Sequence, residues 1–215
     1  YRPDGIVLGA DLWNDIQKED SYVTVQYPFS CLNKKTHGLR KGELVTITAG
    51  SGVGKSSFCR HLALHLLKEK FSVGYLALEE NVKRSVLGIM GIEMRKPLHL
   101  TREGVKDSEM KRVFDATVGN GDFYLYNHFG STASDNLLAK IRYLAKALQC
   151  EYIFLDHLSI VISGNESGDE RRNLDAIMTG LRSLVSETGI ALIVVSHLRR
   201  TFNDKGHEEG ASTSL

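Results

Sequence analysis

Leu44-Val-Thr-Ile-Thr-Ala-Gly-Ser-Gly-Val-Gly-Lys-Ser56 is the stretch whose reading decides the fold. Leu44 to Thr48 is a run of apolar and β-branched residues and predicts a strand. A glycine-rich turn follows, then a helix from about Lys55 to Lys70. In that helix Phe58, Leu62 and Leu66 recur at i, i+4 and i+8, a stripe that faces a core. The phosphate-loop template G-x-x-x-x-G-K-[ST] is met by Ala49–Ser56 everywhere except its first position, where Ala49 replaces glycine and only a small residue is needed. Gly50, Ser51, Gly52, Val53 and Gly54 let successive backbone N–H groups converge on phosphate oxygens. The helix N-terminus, with Lys55, Ser56 and Ser57, adds its partial positive charge. Lys55 is placed to reach the β- and γ-phosphates, and the Ser56 hydroxyl to bind Mg²⁺. A turn that binds nothing has no packing reason to carry a lysine directly after Gly54, so the stretch reads as a nucleoside triphosphate site.

Outward from this loop the pattern repeats. Val73–Leu78, Phe123–Tyr126, Tyr152–Leu155 and Ile190–Val195 read as strands. They alternate with helical stretches over 81–120 (broken near Pro97 and Gly119), over 133–148, and to about Thr188. Strands this apolar, separated by helices, are buried on both faces, as in a mostly parallel sheet of a three-layer α/β/α domain. Upstream, Ala10–Glu19 reads as a short amphipathic helix with Leu12, Trp13 and Ile16 on one face. Pro28 and residues 31–41 read as loop. This divides the chain into an N-terminal linker or docking segment, 1–40, and an NTPase core, 41–215.

The chain has 215 residues, 42% hydrophobic and 25% charged, which excludes a disordered or fibrous class. No apolar run approaches the ~20 residues a membrane span needs, and no secretory leader is evident. Lys and Arg number 27 against 26 Asp and Glu, a net of +1, which excludes bulk attraction to nucleic acid but not a local basic loop. Cys31, Cys59 and Cys150 form no C-x-x-C pair and no disulfide framework. This favours a reducing, intracellular setting, such as the cytoplasm or nucleoid of a host or an organelle matrix. Tyr1 in place of Met, and an end at Gly210–Leu215 without a closing element, read as a domain cut from a longer chain.

A triphosphate site also needs a metal anchor, a base for water and a group that detects the γ-phosphate. Asp156 ends an apolar strand and suits the anchor. Glu79 ends the strand after the phosphate-loop helix and could polarise water. Glu80 beside it would point to the other side, and geometry favours Glu79 without excluding Glu80. His197 stands at the tip of the fifth strand, where a polar group can couple phosphate loss to the following loop. His157, next to Asp156, reads as structural. His61 and His65 have i, i+4 spacing, but Leu62 occupies the place of the acid in H-E-x-x-H, so they read as a surface face.

Several strings together resemble the helicase domain of the bacteriophage T7-type primase–helicases, relatives of Twinkle and of the DnaB replicative helicases. They are Ala49–Ser56, Leu78-Glu79-Glu80, Leu155-Asp156-His157-Leu158-Ser159-Ile160-Val161, Asp169-Glu170-Arg171, His197-Leu198 and His207-Glu208-Glu209-Gly210. The resemblance implies a RecA-like P-loop NTPase fold and a hexameric ring around single-stranded DNA. It implies hydrolysis of ATP or another NTP or dNTP with Mg²⁺, driving 5′ to 3′ movement and unwinding at a replication fork. By motif it assigns Lys55 and Ser56 to phosphate and Mg²⁺, Glu79 as base, Asp156 to Mg²⁺ and His197 as γ-phosphate sensor. It suggests primase and DNA polymerase as further partners and no membrane. The loop after His197 carries Arg199, Arg200 and Lys205, cations that backbone phosphates require. The Ala10–Glu19 helix resembles the linker helix that docks on a neighbouring protomer; packing on its own domain is the alternative. The family's arginine finger would lie beyond residue 215. Two rival readings remain: a RecA-like ATPase that forms a ring or filament without unwinding, and a nucleotide-gated loader or scaffold.

Overall fold

A computed structural model describes residues 6–17, 24–127, 134–158 and 170–197. A five-stranded, all-parallel sheet forms its centre. In chain order the elements are α1 (Trp13–Ile16), β1 (Thr24–Val25), α2 (Ser30–Thr36), β2 (Leu39–Arg40), β3 (Leu44–Ala49), α3 (Lys55–Lys68), β4 (Val73–Ala77), α4 (Val82–Met94), α5 (Asp107–Ala116), β5 (Phe123–Leu125), α6 (Ser134–Lys146), β6 (Tyr152–Asp156), α7 (Glu170–Thr188) and β7 (Ala191–His197). The large sheet runs β3-β7-β6-β4-β5, so the chain leaves β3 and passes over two strand positions before laying down β4. A small antiparallel pair, β1 with β2, stands apart.

Side-chain alternation along the central strands builds two cores. Tyr152 and Phe154 of β6 and Ile193 and Val195 of β7 join the core under α3 and α4. Ile153 and Leu155, with Leu192 and Val194, join the core under α6 and α7. A strand with both faces covered must be apolar at every position, and β4 and β6 are buried throughout. The three-layer expectation is met, and so are the five expected strands, to within a residue or two at their ends.

Two local expectations need correction. Residues 31–41 are not loop: α2 and β2 occupy most of them. The Asn33 side chain accepts from Tyr27 N–H at 2.7 Å and donates to Tyr27 C=O at 2.8 Å, and Phe29 stacks on Phe58 of α3 at 5.3 Å. Those contacts come from residues outside the helix, so periodicity within it carries no sign of them. The first helix is also shorter than expected, a 3₁₀ turn at Gly9–Leu12 leading into the four residues of α1. Of its apolar face, Trp13 and Ile16 stand 62% and 69% exposed and Leu12 is half-buried.

Candidate nucleotide site

Strand order brings four carboxyl-terminal strand ends side by side. Ala49 at the end of β3 pairs in register with His197 of β7, and Ala77 of β4 with Asp156 of β6. In open parallel sheets ligands bind in the crevice outside such ends. The loop between β3 and α3 turns through Gly52 (φ 83°) and Gly54 (φ 97°). Among the described residues a side chain at either would meet no neighbour, and it is the positive φ that favours glycine there. Gly54 caps α3, whose first-turn N–H groups point back toward the loop. Ser51 to Gly54 are exposed, but Lys55 is only 8% exposed. Its ammonium donates to Ala49 C=O at 2.9 Å and Gly50 C=O at 2.5 Å, which holds a cation at the floor of the loop.

Asp156 is 6% exposed, and its carboxyl is held above the ordinary range. Burial is the main cause; a hydrogen bond with the Ser56 side chain and the nearby His157 pull the other way. Among the described residues nothing hydrogen-bonds its buried Oδ1. An orphaned carboxylate oxygen beside a serine hydroxyl at the head of a phosphate loop fits a hard divalent cation that takes its other ligands from phosphate and water. These residues therefore suit Mg²⁺.

The two adjacent glutamates have different surroundings. Glu80 is held by Arg60 of α3, one guanidinium nitrogen lying 2.7 and 2.6 Å from its two oxygens, and by the Ser85 hydroxyl at 2.7 Å. Arg84 lies 3.7 Å away. Glu79 is instead 55% exposed at its side chain, and its Oε1 meets Nε2 of His157. The structure thus brings Lys55, Ser56, Asp156 and Glu79 to one edge of the sheet. Of His197 only the backbone is described, beside the loop entry. Arg199, Arg200 and Lys205 lie outside the described residues, as do 159–169 and His207–Gly210.

Two contacts at this site were not found by sequence reasoning. His157, read as structural, is only 5% exposed, and its ring meets Glu79. Arg60 is buried on α3 in line with Ala63, Leu64 and Leu67, and an arginine within an apolar stripe is itself the signal that a buried acid awaits it. His61 and His65 are otherwise engaged: His61 lies against Phe29, and His65 Nε2 is 2.8 Å from Gln26 C=O.

The family model for the DnaB-like helicase C-terminal domain matches residues 24–213. The DNA helicase/primase of Enterobacteria phage T3 is 36% identical over 222 residues, covering 99% of this chain and 39% of that protein. A probable plasmid replicative DNA helicase of Chlamydia trachomatis is 32% identical, covering 79% of this chain and 38% of its own length. The chain therefore spans about two fifths of the curated relatives it matches. A solved DnaB-like replicative helicase superposes with TM-score 0.72 at 16% identity, over 89% of this chain and 47% of that one. That likeness shows a shared RecA-like α/β fold.

Proposed function

The chain belongs to the DnaB-like helicase C-terminal domain family, and from that premise we propose that it is the NTP-hydrolysing motor of a replicative DNA helicase, moving 5′ to 3′ on single-stranded DNA. The observation that carries this reading is the convergence of the phosphate loop, the Ser56–Asp156 pair and Glu79 on adjacent strand ends. Backbone N–H groups of 50–54 and the Lys55 ammonium bind the phosphates, and the first turn of α3 adds its dipole. Ser56 and Asp156 hold Mg²⁺. When bound, that ion neutralises charge on the phosphate oxygens and orients the triphosphate. Glu79 accepts the proton of the attacking water, and the water's oxygen forms the new bond to the γ-phosphorus as the bond to the leaving diphosphate breaks. His197, beside the loop entry in register, senses the γ-phosphate.

Arg199, Arg200 and Lys205 then supply cationic contacts to the DNA backbone, in a hexamer whose neighbouring protomers receive the exposed face of Trp13 and Ile16. Primase and polymerase are further partners on this reading. A forked duplex with a 5′ tail tests it: single-stranded DNA should stimulate hydrolysis, and strands should separate with ATP and Mg²⁺. Lys55→Ala should lower turnover by about 100-fold or more, the effect of losing a principal charge-stabilising donor. Stimulated hydrolysis without separation would favour a ring or filament ATPase, and binding without turnover a loader.

A further inference from the structure

The catalytic glutamate of the proposed reaction is fixed on three sides, and the third fixture is a histidine. On one side of Glu79, Leu78 N–H donates to Asp156 C=O at 2.7 Å, continuing the pairing of β4 with β6. On the other side, Glu80 is clamped to α3 by Arg60 and to α4 by Ser85. The backbone on both sides of Glu79 is therefore set. What remains free is the side chain itself, exposed at the site mouth, with three torsions that would otherwise sample many rotamers.

His157 removes that freedom. Its own backbone is anchored from both sides, because the carbonyl before it accepts from Leu78 and the N–H after it, on Leu158, donates to Val195 C=O at 2.9 Å. Its ring is buried, and Nε2 meets Glu79 Oε1. Among the described residues no other side chain hydrogen-bonds the Glu79 carboxylate. An imidazole nitrogen can serve a carboxylate oxygen only as a donor, which places a proton on Nε2. Oε1 then accepts from the ring and Oε2 is left to accept from water.

We propose that His157 is a positioning residue for hydrolysis, holding the Glu79 carboxylate in place through Nε2–H. This rests on the assignment of Glu79 as the base. A base must stay within hydrogen-bond reach of water through the reaction, and a displacement of about 1 Å can cost up to 100-fold in rate. The same contact joins β6, which carries the metal ligand Asp156, to β4, which presents the base. One buried ring thus keeps the two reacting groups in register.

The test compares His157→Gln with His157→Met in the intact protein, measuring steady-state ATP hydrolysis with saturating single-stranded DNA. The two side chains are similar in length, but only glutamine retains a donor near the place of Nε2. Methionine is expected to lower kcat by about 10-fold or more with KM for ATP little changed, and glutamine to restore most of the loss. Equal kcat for the two variants would overturn the proposal, even if both were less stable than the parent. Glu79→Gln separates the proposal from its premise. If Glu79→Gln hydrolyses ATP at the parental rate, the base assignment fails first. If it is inactive while His157→Met turns over normally, only the positioning role fails. In the Glu79→Gln background the difference between glutamine and methionine should disappear; its persistence would also overturn the proposal.

Discussion

The Asp156 carboxylate lies almost out of contact with water, and burial raises its pKa against the pull of Ser56 and His157. A raised carboxyl pKa means that the folded state disfavours the charged form. At low pH, with the group protonated in folded and unfolded chains alike, the penalty is absent; it develops as pH rises above about 4 and through the raised value. Asp156→Asn keeps the shape and an acceptor for Ser56 while removing the charge. The variant, without nucleotide or Mg²⁺, should melt at a higher temperature than the parent at pH 7, the gap closing toward pH 4, and it should lose Mg²⁺-dependent turnover. Melting curves across that range check the prediction, and a gap independent of pH would show that burial of charge is not the cause. Of the candidate site residues, Lys55 and Ser56 were legible from their fixed offsets in a strand–loop–helix pattern, and Asp156 from its place at the end of an apolar strand. The Glu79 and Glu80 environments were not, because Arg60 and His157 reach them from 20 and 78 positions away in the chain.

Among the elements, α3 carries the phosphate loop at one end and Arg60 within its buried face. Arg60 crosses to α4 at Gly88, where an added Cβ would stand 2.7 Å from the arginine Cδ and Nε. Alanine in a helix interior ordinarily gains about 1 kcal/mol over glycine. Here the arginine cannot swing aside without releasing Glu80, and overpacking costs about 1–3 kcal/mol, with loss of a buried ion pair costing about 3–5 kcal/mol. The clash should win. Gly88→Ala is expected to lower Tm by several degrees, at roughly 2–4 °C per kcal/mol in a domain of this size. It should also reduce turnover, because Glu80 anchors the backbone beside Glu79. A rise in Tm would mean that helix propensity outweighs the contact. The strongly periodic helices were legible, as was the start of α4, where the Asn81 side chain accepts from Arg84 N–H at 2.9 Å. α2 was not, because seven residues hold too few turns for a period to show and its support is tertiary.

At the scale of the whole molecule, the sheet separates two cores, and each holds one buried cysteine: Cys59, on α3 itself, and Cys150, in the core under α6. Burial pushes the Cys59 thiol far up and that of Cys150 up to about 11. Cys31 is exposed. At pH 8 a thiol reagent should label Cys31 alone in the folded protein, since the thiolate is the reactive form. If the two cores share one cooperative transition, Cys59 and Cys150 should become reactive together as urea rises, which peptide mass spectrometry can read. Labelling of one core well before the other would show that the layers unfold separately. The five strands of the large sheet, the strongly periodic helices around them and the phosphate-loop pattern were determined by sequence alone, because they depend on periods and offsets spanning a dozen residues or fewer. Strand order, the distinct partners of Glu79 and Glu80 and the contact between His157 and Glu79 were decided only by the tertiary structure. They depend on crossovers that pass two strand positions and on buried side chains whose partners the chain pattern does not name.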